Sequence, residues 1–225
     1  MDANTRASQK LHQNSAEYGN ASSYLKEGSF KYHLTIPRAL EFSSQKTTIK
    51  SLLDYGCGKG GLLKALSDSA KAGIIVDGYD PSVPEYSEEP SHKYDIITCI
   101  DVLEHLSRDN LRYTLEKISH LTIKYFFFCI DLVPASKKLD DGRNAHTLLA
   151  PPEWWCQQIK QTFQIASFIE VGHLPDESRY PMHLLGCASN SMNSFNAMNT
   201  FLENVRIART KSYWVDGKMI IKNYE

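Results

Sequence analysis

The chain has 225 residues, 42% hydrophobic and 23% charged, which is enough to bury a sizeable core and suits one domain better than two. Its 25 Lys and Arg balance 26 Asp and Glu for a net charge of −1, which argues against a large polyanion-binding face. Five cysteines without a CxxC pair read as reduced thiols, no apolar signal core opens the chain, and the longest apolar run, Tyr125 to Ile130, is too short for a bilayer; the expectation is a cytoplasmic protein.

Residues 1–33 are polar, yet Tyr18, Tyr24, Phe30 and Tyr32 make them more aromatic than an ordinary disordered tail. They favour a partly helical lid, and residues 1–45 are read together as an N-terminal segment. Leu34 to Phe42 reads as a helix with Pro37 in its first turn. From residue 49 strands and helices alternate. Ile49 to Tyr55 is a strand, followed by a glycine-rich turn over 56–61 and a helix opening at Leu62 to Leu66. Gly73 to Tyr79 and Tyr94 to Ile100 are the next strands, and 109–120 is a helix with Leu111, Leu115 and Ile118 on one face. Ile123 to Leu132 is apolar nearly throughout, as a strand buried on both faces must be. A helix opens at Pro151 to Trp155, and Phe163 to Val171 and Met182 to Ala188 are the last strands of a core spanning 46–190. The appendage 191–225 holds a helix from Phe195 to Ala208 and a short extended end. Alternating strands and helices imply an α/β fold: a mostly parallel sheet covered on both sides, in a single domain over 1–225.

The chemistry is concentrated at three strand ends. Gly56, Gly58, Gly60 and Gly61 lie between the first strand and its helix, where the backbone can approach a ligand closely and amide donors point at it. The Gly56-x-Gly58-x-x-Gly61 pattern alone also fits a dinucleotide site. Asp54 separates the two, because a carboxylate there repels a pyrophosphate and attracts a cationic cofactor. Asp80 ends the second strand, 19 residues beyond Gly61, where a carboxylate can accept from both hydroxyls of a ribose. Asp101, Val102, Glu104 and His105 follow the third strand, at the edge where open α/β sheets bind ligands. Purely structural alternatives are a cap for Asp101 and a solvated helix start for Glu104 and His105.

These motifs, in this order, resemble the class I S-adenosylmethionine-dependent methyltransferases over roughly residues 49–131. Asp54-x-Gly56-x-Gly58-x-Gly60 looks like their first motif, Asp80 like their ribose-binding acid and Asp101 to His105 like their fourth motif. The stretches Tyr79 to Tyr86, Asp141 to His146 and Pro152 to Trp155 also look similar to a less characterised microbial and phage branch. The resemblance implies a Rossmann-like methyltransferase fold with an antiparallel last strand. It also implies S-adenosyl-L-methionine as cofactor, held by Asp54, Gly56, Gly58, Gly60, Asp80, Pro81, Asp101 and Val102. One departure has structural consequences. Only 20 residues separate Asp80 from Asp101, and Pro81, Pro84 and Pro90 interrupt them. The family's third strand does not fit there, so six main strands are expected, with an irregular 81–91 segment beside the adenine and Val83 or Tyr86 as its apolar wall.

Methyl transfer from a sulfonium is an in-line displacement in which the cofactor supplies the leaving group. A hydroxyl acceptor adds the need for a base, and His146, His105 and Asp131 are the candidates. Asp101, Glu104 and His105 also resemble the metal-binding fourth motif of some small-RNA and ubiquinone-pathway O-methyltransferases, with His146 in the place of a later-loop histidine. A divalent metal is therefore a second candidate cofactor. The expected activity is O-methylation of a small polar metabolite or a saccharide. Methylation of RNA or DNA, and cofactor binding without catalysis, are the alternatives; nicotinamide redox fits Asp54 and Asp101 poorly.

Overall fold

The computed structural model describes residues 3–14, 36, 48–64, 74–173, 180–210, 212–215 and 218–221. The helix expected over Leu34 to Phe42 lies outside these residues except for Ile36, which is helical and buried. The strands are β1 (Ser51–Tyr55), β2 (Ile75–Tyr79), β3 (Tyr94–Ile100), β4 (Thr122–Asp131), β5 (Ile165–His173) and β6 (Pro181–Ser189), with a separate β7 (Ser212–Val215) and β8 (Lys218–Ile221) hairpin. The helices are α1 (Ala3–Asn14), α2 (Arg108–Leu121), α3 (Pro152–Thr162) and α4 (Phe195–Thr210).

The main sheet has the order β2-β1-β3-β4-β6-β5. Pairings among β2, β1, β3 and β4 are parallel, and β6 runs antiparallel between β4 and β5. The six strands agree with the sequence expectation. No strand forms between Asp80 and Tyr94; that interval holds one 3-10 turn at Pro84–Tyr86. Because β2 and β3 leave β1 on opposite sides, the strand order reverses at β1. A crevice therefore opens at the carboxyl ends of β1 and β3, the usual ligand position in such sheets.

The inner strands of the sheet are largely buried on both faces, and β4 shows how the sequence achieves this. Phe126, Phe128 and Ile130 join Leu111, Leu115, Ile118, Trp155 and Ile159 on the side of α2 and α3. Tyr125, Phe127 and Cys129 join Met198, Phe201 and Leu202 of α4 on the other. Alternate side chains of one strand thus feed two cores, which is why no charged position interrupts the stretch from Tyr125 to Ile130. Ser107 caps α2 by accepting from the Asn110 N–H at 3.3 Å, and Pro152 opens α3, where its missing N–H costs nothing. Phe163, expected to begin a strand, instead closes α3, its N–H bonding the Ile159 carbonyl at 2.9 Å. No helix among the described residues is long and apolar enough to cross a membrane.

Candidate functional site

The glycine turn follows β1 directly. Gly56, Gly58 and Gly60 have φ of 84°, 55° and 75°, a left-handed backbone that side chains disfavour. A methyl group on Gly56 would collide with the Val102 side chain, and one on Gly60 would lie 2.5 Å from the Tyr86 hydroxyl. The turn is tied to β2 by its backbone, since the N–H groups of Gly56 and Cys57 both donate to the Tyr79 carbonyl, at 2.6 and 3.2 Å. Asp80 adds a side-chain tie: its carboxylate accepts from the Gly58 N–H at 2.9 Å and from the Ser82 N–H at 2.8 Å.

Asp54 sits beneath this turn, 3% exposed, accepting from the Thr98 hydroxyl at 2.9 Å. Burial pushes its pKa up to about 7, and the nearby Asp80 charge adds to the rise. A carboxyl so starved of solvation gains by meeting a cation, and the ammonium group of S-adenosylmethionine is one. A glycine-lined turn, a ribose-side acid and a buried carboxylate together suit that cofactor. Pro81 follows Asp80 at the edge of the crevice, and its carbonyl accepts from Gln9 of α1 at 3.3 Å. Lys10 of the same helix pairs with Asp140 at 3.5 Å, both side chains being largely exposed.

A second set of groups lies at the ends of β3 and β4. Asp101 has φ 54°, the only non-glycine residue with positive φ among those described; its N–H donates to the Cys129 carbonyl at 3.0 Å. Such a backbone costs on the order of 1–3 kcal/mol and persists only where its surroundings enforce it. Burial and the Asp131 charge hold the Asp101 pKa up at about 7. Glu104 is not on a solvated helix start: the 3-10 turn Leu103–His105 carries it inward, fully buried. One carboxylate oxygen accepts from the Asp131 N–H at 2.9 Å, and the other has no partner. Burial, reinforced by Asp101, holds the Glu104 pKa well above the usual carboxylate range. Asp131 is also raised by burial, with His146 acting against the rise.

His146 arrives from a long loop after β4 that folds back on itself. Asn144 clamps the fold, accepting from the N–H groups of Ala135 and His146 and donating to the Ala135 carbonyl. Beyond it, Thr147 donates to the carbonyls of His105 and Leu106, and the Leu148 N–H donates to Glu104. The loop is thereby strapped onto the 103–106 turn. The His146 Nδ1 lies 2.6 Å from the Val133 carbonyl and the His105 Nδ1 lies 2.8 Å from the Ala145 carbonyl. A carbonyl only accepts, so each Nδ1 donates its proton there and Nε2 is the ring nitrogen through which either histidine could ligate a metal. A carboxylate oxygen of Glu104 and a ring nitrogen each of His105 and His146 lie within 4.8 Å of one another. Neither Asp101 nor Asp131 is part of this set. One residue not among the sequence candidates also reaches the site edge: His183 of β6 lies against Asp131 across the sheet, Nδ1 to Oδ1 at 3.6 Å.

An open sheet that reverses strand order at a glycine turn, with acids ending its first three strands, has the architecture of S-adenosylmethionine-dependent methyltransferases. The chain matches the methyltransferase domain family over residues 31–157, more than half its length, and belongs to that family. It is 28% identical over 105 residues to ubiquinone biosynthesis O-methyltransferase of Citrobacter koseri, covering 36% of this chain and 43% of that one. It is 33% identical over 99 residues to the protein of that name from Coxiella burnetii, covering 33% and 41%. The chain thus spans about two fifths of the length of these curated relatives. Its fold resembles that of the plantazolicin methyltransferase BamL, solved with a triazolic desmethylPZN analog and SAH, with TM-score 0.57 and 16% identity, covering 84% of this chain and 96% of that one. It also resembles the small RNA methyltransferase HEN1, with TM-score 0.52 and 18% identity, covering 74% and 26%. At such identities these two likenesses speak for the fold alone.

Proposed function

We propose that the chain transfers the methyl group of S-adenosylmethionine to a hydroxyl of a small polar metabolite or saccharide, assisted by a divalent metal ion. The observation that carries this reading is the set of Glu104, His105 and His146, whose donor atoms lie within 4.8 Å of one another with one buried Glu104 oxygen unpartnered. A carboxylate and two imidazoles of fixed tautomer form a donor set suited to a divalent transition ion, and the backbone carbonyls behind each Nδ1 orient the rings for it. Bound there, such an ion would lower the pKa of an acceptor hydroxyl and hold it in place. Three protein donors leave open positions, so an acceptor with two adjacent hydroxyls fits best.

The protein's own share is alignment. Gly56, Gly58, Gly60, Asp80, Pro81 and Val102 hold the cofactor, and Asp54 and Asp101 supply negative charge toward its cationic end. Aligning nucleophile and methyl can contribute roughly 7–11 kcal/mol. Asp131 and His183 line the acceptor side. The curated relatives named as O-methyltransferases support the choice of oxygen, and the five free cysteines suit a reducing cytoplasm.

The test is transfer of label from tritiated S-adenosylmethionine to a panel: catechols, sugars with adjacent hydroxyls, a short RNA with a free 3′ end, and amines. Label is expected on hydroxyl acceptors, lost on chelation and restored by manganese. Transfer only to amines, or transfer indifferent to chelator, overturns the proposal.

A further inference from the structure

We propose that Tyr86 is the adenine-contacting residue of the cofactor pocket, its ring replacing what the absent third strand provides in a longer sheet.

Among the described residues β2 is the edge of the sheet, and no strand beyond it supplies a side chain to the base. The interval between Asp80 and Ser91 contains a single aromatic residue, Tyr86. It does not trail into solvent. The Asp80 N–H donates to the Tyr86 carbonyl at 2.9 Å, and the Tyr86 N–H donates to the Val83 carbonyl at 3.0 Å. The segment therefore closes on itself and returns Tyr86 to the neighbourhood of the ribose-side acid.

From there the half-buried ring reaches the glycine turn, with its hydroxyl end against the face of Gly60. The hydroxyl, Cζ and one Cε would lie 2.5, 3.0 and 3.2 Å from a methyl group at that position, so only glycine leaves the ring its place. The turn is thus tied to the end of β2 by the Tyr79 carbonyl and the Asp80 carboxylate, and to the segment by the Tyr86 ring. A ribose held by Asp80 carries its base a few bonds away, and Tyr86 is the aromatic residue that the segment folds back onto Asp80. Its π face can stack on a purine, a contact that does not depend on hydrogen-bond pattern and typically contributes about 5- to 150-fold in affinity.

Titration calorimetry of the full chain with S-adenosylhomocysteine tests this. Tyr86→Phe, which keeps the ring, is expected to bind within about 3-fold of wild type, and Tyr86→Leu to bind roughly 10-fold or more weakly. Adenosine used as competitor should lose the same factor. Unchanged affinity in Tyr86→Leu overturns the proposal. So does tighter binding, which would make Tyr86 a plug, or Tyr86→Phe as weak as Tyr86→Leu. Should the leucine variant fail to fold, NMR of the wild-type complex decides: magnetisation transfer between the adenine protons and the Tyr86 ring is expected at saturation, and its absence overturns the assignment.

Discussion

The imidazole of His146 stands edge-on to that of His105, with ring centroids 4.8 Å and planes 81° apart, although a long loop separates them in sequence. Each ring is pinned through Nδ1 to a backbone carbonyl, so the pair is held before any ligand arrives. Replacing His146 by Ala removes one donor of three. The expected result is loss of manganese binding and about 10²-fold or more in turnover, with affinity for S-adenosylhomocysteine intact, because the glycine turn is untouched. Manganese and cofactor titrations on the same variant check it. Parallel loss of both would mean that His146 holds the crevice together rather than a ligand.

Glu104 makes the second prediction. Burial and the Asp101 charge push its carboxyl well above the usual carboxylate range, and a metal ion binds only the ionised form. Manganese binding is therefore expected to release a proton and to strengthen as pH rises. Titrations in buffers of different ionisation enthalpy measure that proton. Glu104→Gln should abolish the release and weaken binding at least tenfold; release unchanged in this variant would place the proton elsewhere.

Much of this arrangement was legible in the sequence, for identifiable reasons. The glycine turn, Asp54 and Asp80 announce themselves because close backbone approach and strand-end acids need particular residue types at fixed spacing. The missing strand was legible because three prolines in 20 residues leave no room for one. Other features follow from contacts that no local pattern encodes. The left-handed backbone of Asp101 arises from its bond to β4, and the inward turn of Glu104 arises from its bond to the Asp131 N–H. His183 reaches Asp131 only because β6 pairs antiparallel with β4 in that register. Phe163 was misread as a strand start because an apolar residue serves equally well at a helix end.

Stability should depend on pH in a direction set by Asp54 and Asp101. Both have folded-state pKa values of about 7, against about 3.9 for an unfolded aspartate. Between those values the folded chain holds more protons than the unfolded one, so stability falls as pH rises from about 4 to about 7 and this contribution levels off above. Thermal melts without ligand are expected to show a higher midpoint at pH 5 than at pH 8, and the difference should shrink in Asp54→Asn. A midpoint difference unaltered by that substitution would show that Asp54 titrates normally.

Gly56 and Val102 provide the last prediction. Gly56 has φ 84°, and a methyl group there would run into both γ-carbons of Val102, which follows β3. Two separate penalties follow from Gly56→Ala. The backbone penalty, on the order of 1 kcal/mol or more, belongs to any side chain at this φ. The steric penalty belongs to Val102 alone and can be relieved. Gly56→Ala should therefore unfold at lower denaturant and bind S-adenosylhomocysteine far more weakly, since the turn must shift away from the crevice. Adding Val102→Ala should recover part of both losses, leaving the backbone cost. Val102→Ala alone should be mild. The double-mutant cycle, read by denaturant unfolding and by cofactor titration, isolates the coupling. Strict additivity would mean that the two residues do not meet, and that the glycine is required for its backbone conformation only.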